Sequence, residues 1–90
     1  MNFVFEFDEA KSLANKAKHG IDFVEAQALW KDEELHVLLA TEFDNELRWA
    51  AIGVVGGKHW TAIYTMRNNL IRLISMRRSR EKEEDLYESQ

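Results

Sequence analysis

From Leu35 to Met76 the chain runs as four stretches rich in β-branched, aromatic and aliphatic residues, separated by short breaks. The stretches are Leu35–Thr41, Leu47–Val55, Lys58–Met66 and Leu70–Met76. Gly56-Gly57 has the character of a two-residue hairpin turn that demands positive φ, and Asn68-Asn69 is a second, because Asn tolerates that region best after Gly. Phe43-Asp44-Asn45 marks the third turn. A parallel pair needs a crossover of a dozen or more residues, so breaks this short leave an antiparallel meander. The chain has no proline, so no stretch is confined to a sheet edge on that account.

Upstream, Phe3-Val4-Phe5-Glu6-Phe7 alternates with period two and predicts a further strand with Phe3, Phe5 and Phe7 on its buried face. Asp8 is a plausible N-cap for a three-turn helix carrying Ala10, Leu13, Ala14 and Ala17 as its apolar stripe, closed by Gly20. Lys16, Lys18 and His19 then occupy the last turn, where the helix dipole favours cations. Asp22, with Glu25 three residues on, forms a capping box for a second, shorter helix through Phe23, Ala26 and Leu29 to Trp30. Lys31 to Glu34 forms a polar loop. After Met76, Ser79 with Lys82 at its N3 position starts a charged helix whose only large apolar residues are Leu86 and Tyr87. Ninety residues hold one core, and 46% apolar composition is enough to pack it. The expectation is a single α+β domain over residues 1–90. Two N-terminal helices and a C-terminal helix surround an antiparallel sheet of about five strands.

The net charge of −4 hides three blocks. Residues 1–46 carry eleven acids against four lysines; residues 47–82 carry eight bases against Glu81 alone; the tail is acidic. Five of the eight bases are arginines between Arg67 and Arg80, and arginine's planar fork suits phosphate. The competing reading is that these arginines pair with the acids of the first half and solubilise a sheet face. Without cysteine there is no disulfide framework, thiolate metal site or cysteine nucleophile. His19, His36 and His59 fall in different elements, no serine lies in a Gly-flanked elbow, and no glycine loop could cradle a nucleotide. No metal or cofactor is expected. No apolar run approaches the length of a membrane helix, so a soluble, cytoplasmic protein is expected.

A basic sheet of this size can support metal-free cleavage of RNA, because RNA carries its own nucleophile. The 2′-hydroxyl attacks the adjacent phosphate, and the protein aligns the step, moves two protons and stabilises the phosphorane. Arg67, Arg72, Arg77, Lys11 and His19 are the candidate catalytic residues, with Lys16, Lys18, Arg78 and Arg80 as candidates for holding the RNA. Each has a structural alternative: His19 as a helix-terminal cation, Lys11 as a solvated helix residue, Asp8 as an N-cap only. Arg48 faces acids on neighbouring segments and reads as a structural pair, and Trp49, Trp60 and Tyr64 read as core.

These residues also resemble a family. Phe7-Asp8-Glu9-Ala10-Lys11, Asn15, Lys18-His19-Gly20-Ile21, Phe23 and Glu25-Ala26 are similar to the opening signature of BrnT-type toxins, W-D-x-x-K-x-x-x-N-x-x-K-H-G-[VI]-x-F-x-E-A. Arg48 to Ile52-Gly53 resembles that family's R-x-x-x-I-G strand, Tyr64-Thr65-Met66-Arg67 its Y-T-x-R, and Ile71 to Arg77 its I-R-I-I-S-A-R. The resemblance implies a small α+β ribonuclease of RelE type, the toxin of a type II toxin–antitoxin pair that cleaves RNA and inhibits translation. It also implies a BrnA-like antitoxin of ribbon-helix-helix type, expected in a 2:2 complex, through which alone the toxin would meet DNA. The alternative is a non-catalytic RNA-binding or antitoxin-sequestering module of the same fold. Three positions depart from the pattern: Phe7 for Trp, Asn68-Asn69 for Gly-Asp, and Met76 for Ala, the last adding volume beside Arg77.

Overall fold

The computed structural model describes residues 2–90. Its meander comprises β2 (His36–Phe43), β3 (Glu46–Val55), β4 (Lys58–Arg67) and β5 (Leu70–Arg78), preceded by the short β1 (Phe5–Glu6). The sheet order is β1-β5-β4-β3-β2. All three hairpin tips are two-residue turns at positive φ: Asp44 and Asn45 at 50° and 62°, Gly56 and Gly57 at 59° and 77°, Asn68 and Asn69 at 52° and 66°. Those turns pair Phe43 with Glu46, Val55 with Lys58 and Arg67 with Leu70, and so set the register. Phe43 therefore ends β2 and is not part of the turn.

The sheet is mixed, not antiparallel throughout. β1 runs parallel to β5, with Phe5 opposite Ile71 and Glu6 opposite Arg72. Side-chain alternation is the same for either direction, so the sequence held no sign of it. The expected five-residue strand also shortens to two: Phe5 and Phe7 are half-buried, but Phe3 is exposed. Asp8 turns the chain into α1 before further pairing is possible.

Helix α1 (Glu9–His19) has the expected ends: Asp8 Oδ1 accepts the Lys11 N–H at 3.0 Å, and Gly20 closes it at φ 83°. Its inward face is the reverse of the expectation. Ala10, Leu13, Ala14 and Ala17 face solvent, while Ser12 and Asn15 are buried. The cause lies in β5, whose edge beyond Arg72 has no strand partner. The Asn15 carboxamide supplies one, donating to Met76 O at 2.8 Å and accepting from Met76 N at 3.2 Å. It also donates to Ile21 O at 2.8 Å, and Ser12 Oγ accepts the Phe23 N–H at 2.9 Å. A buried sheet edge needs hydrogen-bonding groups, and an apolar stripe has none.

The second helix is a 3-10 segment, Glu25–Lys31, so the chain has one N-terminal α-helix and not two. The capping box is present: Asp22 Oδ1 accepts the N–H groups of Val24 and Glu25, and Glu25 Oε1 accepts that of Asp22. Phe23, Ala26 and Leu29 recur every three residues, which is the 3-10 period, and all three are fully buried. They pack on Ala51, Ala62, Tyr64, Leu73 and Met76 of the sheet's inner face. At Gly53 a Cβ would lie 2.9 Å from Leu29 Cδ1, so glycine permits this close approach. Met76 is wholly buried here, and alternation puts Arg77 on the opposite face; the extra volume goes into the core.

Helix α2 (Glu81–Glu88) starts one residue later than expected, with Arg80 as N-cap and Glu83 at N3. The carboxylate of Glu83 accepts the Arg80 N–H at 2.7 Å, which the Lys82 ammonium cannot do. Ser79 Oγ lies 2.8 Å from Thr61 Oγ1 instead. α2 lies on the outer face of the sheet. It is held there by Glu83, by Glu88 Oε1 at 2.7 Å from His59 Nε2, and by the Tyr87 hydroxyl, which donates to Asp32 Oδ2 at 2.7 Å.

Candidate functional site

The outer face carries the arginines. In β5, Arg72 and Arg77 stand opposite Thr65 and Thr61 of β4, and Arg67 shares the face of Thr65. Extending the register that joins Trp49 to Tyr64 by one residue sets Arg48 of β3 opposite Thr65. Arg48, Thr65 and Arg72 thus form one row across three strands. Neighbouring strands are about 4.8 Å apart, so the two arginines flank Thr65 at about 10 Å backbone separation. Arg77 lies five residues along β5 from Arg72, but a bulge in β5, where Ile63 and Tyr64 face Ser75 and Leu73, sets the two arginines opposite residues four apart on β4, about 13 Å at strand rise, and on one face.

Every one of the three predicted sheet arginines faces a carboxylate. Arg67 Nε donates to Glu46 Oε2 at 3.1 Å, and Arg72 Nη1 lies 3.5 Å from Glu6 Oε1. Arg77 makes a two-pronged pair with Glu83, Nη1 to Oε1 at 2.7 Å and Nη2 to Oε2 at 2.8 Å. Thr61, completely buried, donates its hydroxyl to Glu83 Oε1 at 3.1 Å. The hydrogen bond from Arg77, helped by the Arg80 amide and Thr61 and opposed by burial, holds the Glu83 carboxyl at about 2. The same bond raises the Arg77 guanidinium above its ordinary value. The competing expectation, that acids pair with these arginines, therefore describes part of the face. Two of those acids, Glu6 and Glu46, belong to the first half, and the third belongs to α2.

The remaining predicted residues lie elsewhere. Lys16 is tied to Glu25 at 2.8 Å on the surface, and that hydrogen bond raises its ammonium. Lys11 and Lys18 are exposed on α1, and His19 is half-buried at its end. All four belong to α1, which docks on the free edge of β5 at Met76, whereas the arginine forks lie on the outer face. Arg78 points to the face opposite Arg77, with its guanidinium carbon 5.6 Å from the Trp60 ring centroid and Nε donating to His59 O. Arg80 caps α2. Trp60 and Tyr64 are buried as expected, and Trp49 is half-buried.

Three outer-face residues were not among the candidates: Arg48, whose guanidinium carbon lies 4.9 Å from the Phe43 ring centroid, Phe43 itself, and Glu83, which pairs with Arg77. Arg48 was legible, since counting back from the two hairpin turns sets residues 48, 65 and 72 in one row. Its acid is also not on a neighbouring segment: Glu46, two residues back on β3, comes only within 3.9 Å. Glu83 had a weaker sign, its place four residues after Ser79.

Chemically the face offers forks of N–H donors already shaped around carboxylates, and phosphate oxygens match the same geometry. Among the described residues no three His, Asp or Glu side chains converge as metal ligands. Among the described residues no helix is long and apolar enough to cross a membrane. Comparison with curated proteins returns no match. A family model described as the ribonuclease toxin BrnT of a type II toxin–antitoxin system matches residues 7–83, a span that runs from the aromatic before the α1 cap to the Glu83 that grips Arg77. On that match, covering both the meander and its outer-face arginines, the chain belongs to the BrnT family of ribonuclease toxins.

Proposed function

We propose that this chain cleaves RNA without a metal, by attack of the substrate's own 2′-hydroxyl, and inhibits translation in that way. Arg67, Arg72 and Arg77 stabilise the charge that builds on the phosphorane. The observation that carries the reading is the outer-face array, in which three guanidinium forks are each set against a carboxylate that a phosphate can replace. Of the other candidates, Lys11 and His19 are assigned proton transfer and Lys16, Lys18 and Arg80 the flanking backbone, whereas Arg78, on the face opposite the array, is given no contact with this stretch of RNA. The family implies an antitoxin partner; a BrnA-like, ribbon-helix-helix antitoxin in a 2:2 complex would inhibit by covering this face, because a carboxylate-rich segment meets the same potential as RNA.

Purified protein free of antitoxin should cut single-stranded RNA in EDTA and leave DNA of the same sequence intact. Arg67→Ala and Arg72→Ala should each lower the cutting rate by about 100-fold or more while keeping the fold, as loss of one charge-stabilising donor does elsewhere. Cleavage abolished by chelator, or DNA cut equally, overturns the mechanism. The second reading, binding without cleavage, is favoured by the separation of His19 from the arginines; retained RNA binding with no product at any time would establish it.

A further inference from the structure

Phe43 ends β2 on the outer face, 57% exposed as a residue, beside Glu46 and in the same row as Arg67. A single exposed aromatic needs no explanation by itself. This one carries a cation on its ring, since the guanidinium carbon of Arg48 sits 4.9 Å from the ring centroid, and it still leaves more than half of its surface to solvent. Arg48 is the second observation. Its Nε is buried without a hydrogen-bond partner among the described residues, and Glu46 Oε1 is 3.9 Å away. Arg67 and Arg77 donate to carboxylates, and Arg72 comes nearer to one than Arg48 does. The Arg48 side chain is 30% exposed and donates to no described acceptor, so the exposed part of its fork is free to take an incoming anion, which would compensate by charge the unpaired Nε beneath.

We infer that Phe43 and Arg48 form a nucleobase subsite. A base of single-stranded RNA stacks on the Phe43 ring, and the Arg48 fork takes a phosphate oxygen of that nucleotide. The row shared with Thr65 and Arg72 leads from this subsite toward the phosphate held by Arg67 and Arg72, so the stacked nucleotide lies beside the scissile step. Stacking on an aromatic ring is tolerant of base identity, whereas the sheet arginines contact only phosphate. The subsite therefore supplies grip and register, and shows itself in KM. This inference rests on the proposed ribonuclease reading.

The test uses the intact protein and an RNA oligonucleotide carrying 2′-O-methyl groups, which binds but cannot be cut, alongside the cleavable RNA. Phe43→Leu keeps the apolar bulk and should weaken binding of the blocked oligonucleotide about tenfold and raise KM similarly with kcat little changed; Phe43→Trp should bind as the parent does. Placing an abasic site at each position of the oligonucleotide in turn should find one position at which the parent loses the same factor and Phe43→Leu loses nothing more. Arg48→Lys, which keeps the charge but not the fork, should weaken binding about threefold or more. Parent protein that binds and cuts RNA while Phe43→Leu behaves identically, or an abasic scan with no such position, overturns the subsite alone. Weakened antitoxin binding in Phe43→Leu with RNA binding unchanged reassigns the surface to a protein and likewise overturns it. Parent protein that neither binds nor cuts RNA overturns the ribonuclease reading and this inference together.

Discussion

Replacing Glu83 by Gln keeps the side chain's shape and removes its charge, so it isolates what the pair with Arg77 contributes. The two side chains are 18% and 21% exposed, sheltered enough for the shift to report on stability. Glu83 titrates at about 2 in the fold against 4.5 for the free side chain. At 1.36 kcal/mol per pH unit this difference corresponds to a stabilisation on the order of 3 kcal/mol. The sign follows from a carboxyl lowered by folding: the contribution is complete above about pH 5 and is lost as pH falls toward 2. Urea unfolding of parent and Glu83→Gln, followed by far-ultraviolet circular dichroism from pH 7 to pH 2.5, should show a gap of that order at pH 7 that narrows steadily below pH 5. Other lowered carboxyls cancel in the difference because both proteins contain them. Glu25 is lowered by its hydrogen bond from Lys16, and at Asp32 burial is outweighed by hydrogen bonds from Tyr87 and two backbone amides. A gap as wide at pH 3 as at pH 7, or no gap at all, refutes the assignment of this stabilisation to the Glu83 charge.

Asn15→Leu should destabilise the protein by about 2–4 kcal/mol, because it strands Met76 N, Met76 O and Ile21 O in a buried place; a loss under 1 kcal/mol in chemical denaturation would mean that water replaces the carboxamide. Gly53→Ala should cost about 1–3 kcal/mol, since its Cβ would stand 2.9 Å from Leu29 Cδ1 and 3.0 Å from Leu35 Cδ1; an unchanged thermal midpoint would show that the 3-10 segment moves aside freely.

The meander was open to reading because its information is local. Gly56-Gly57, Asn68-Asn69 and Asp44-Asn45 are residues that accept positive φ, and each turn, once placed, fixes which residues face each other on the flanking strands. From this the shared face of Arg67 and Arg72 and the row through Arg48 could have been counted out, although the expectation went no further than placing the arginines on the last strands. Caps were equally local: Asp8, Gly20 and the Asp22–Glu25 box act within a few residues of themselves. The tertiary structure decided everything that depends on a distant backbone. Parallel pairing of β1 with β5 brings Glu6 to Arg72, sixty-six positions away along the chain. The free edge of β5 at Met76 calls for a carboxamide, and so α1 turns Ser12 and Asn15 inward and leaves Leu13 in solvent, against its apolar pattern. The docking of α2 settles which acid holds Arg77. Hydrophobic periodicity reports which side chains avoid water, but a hydrogen-bonding demand made by another segment leaves no periodic trace. That is why strand positions for Arg67 and Arg72 could be counted from the sequence, while the bulge that turns Arg77 to their face and the carboxylates that hold all three could not.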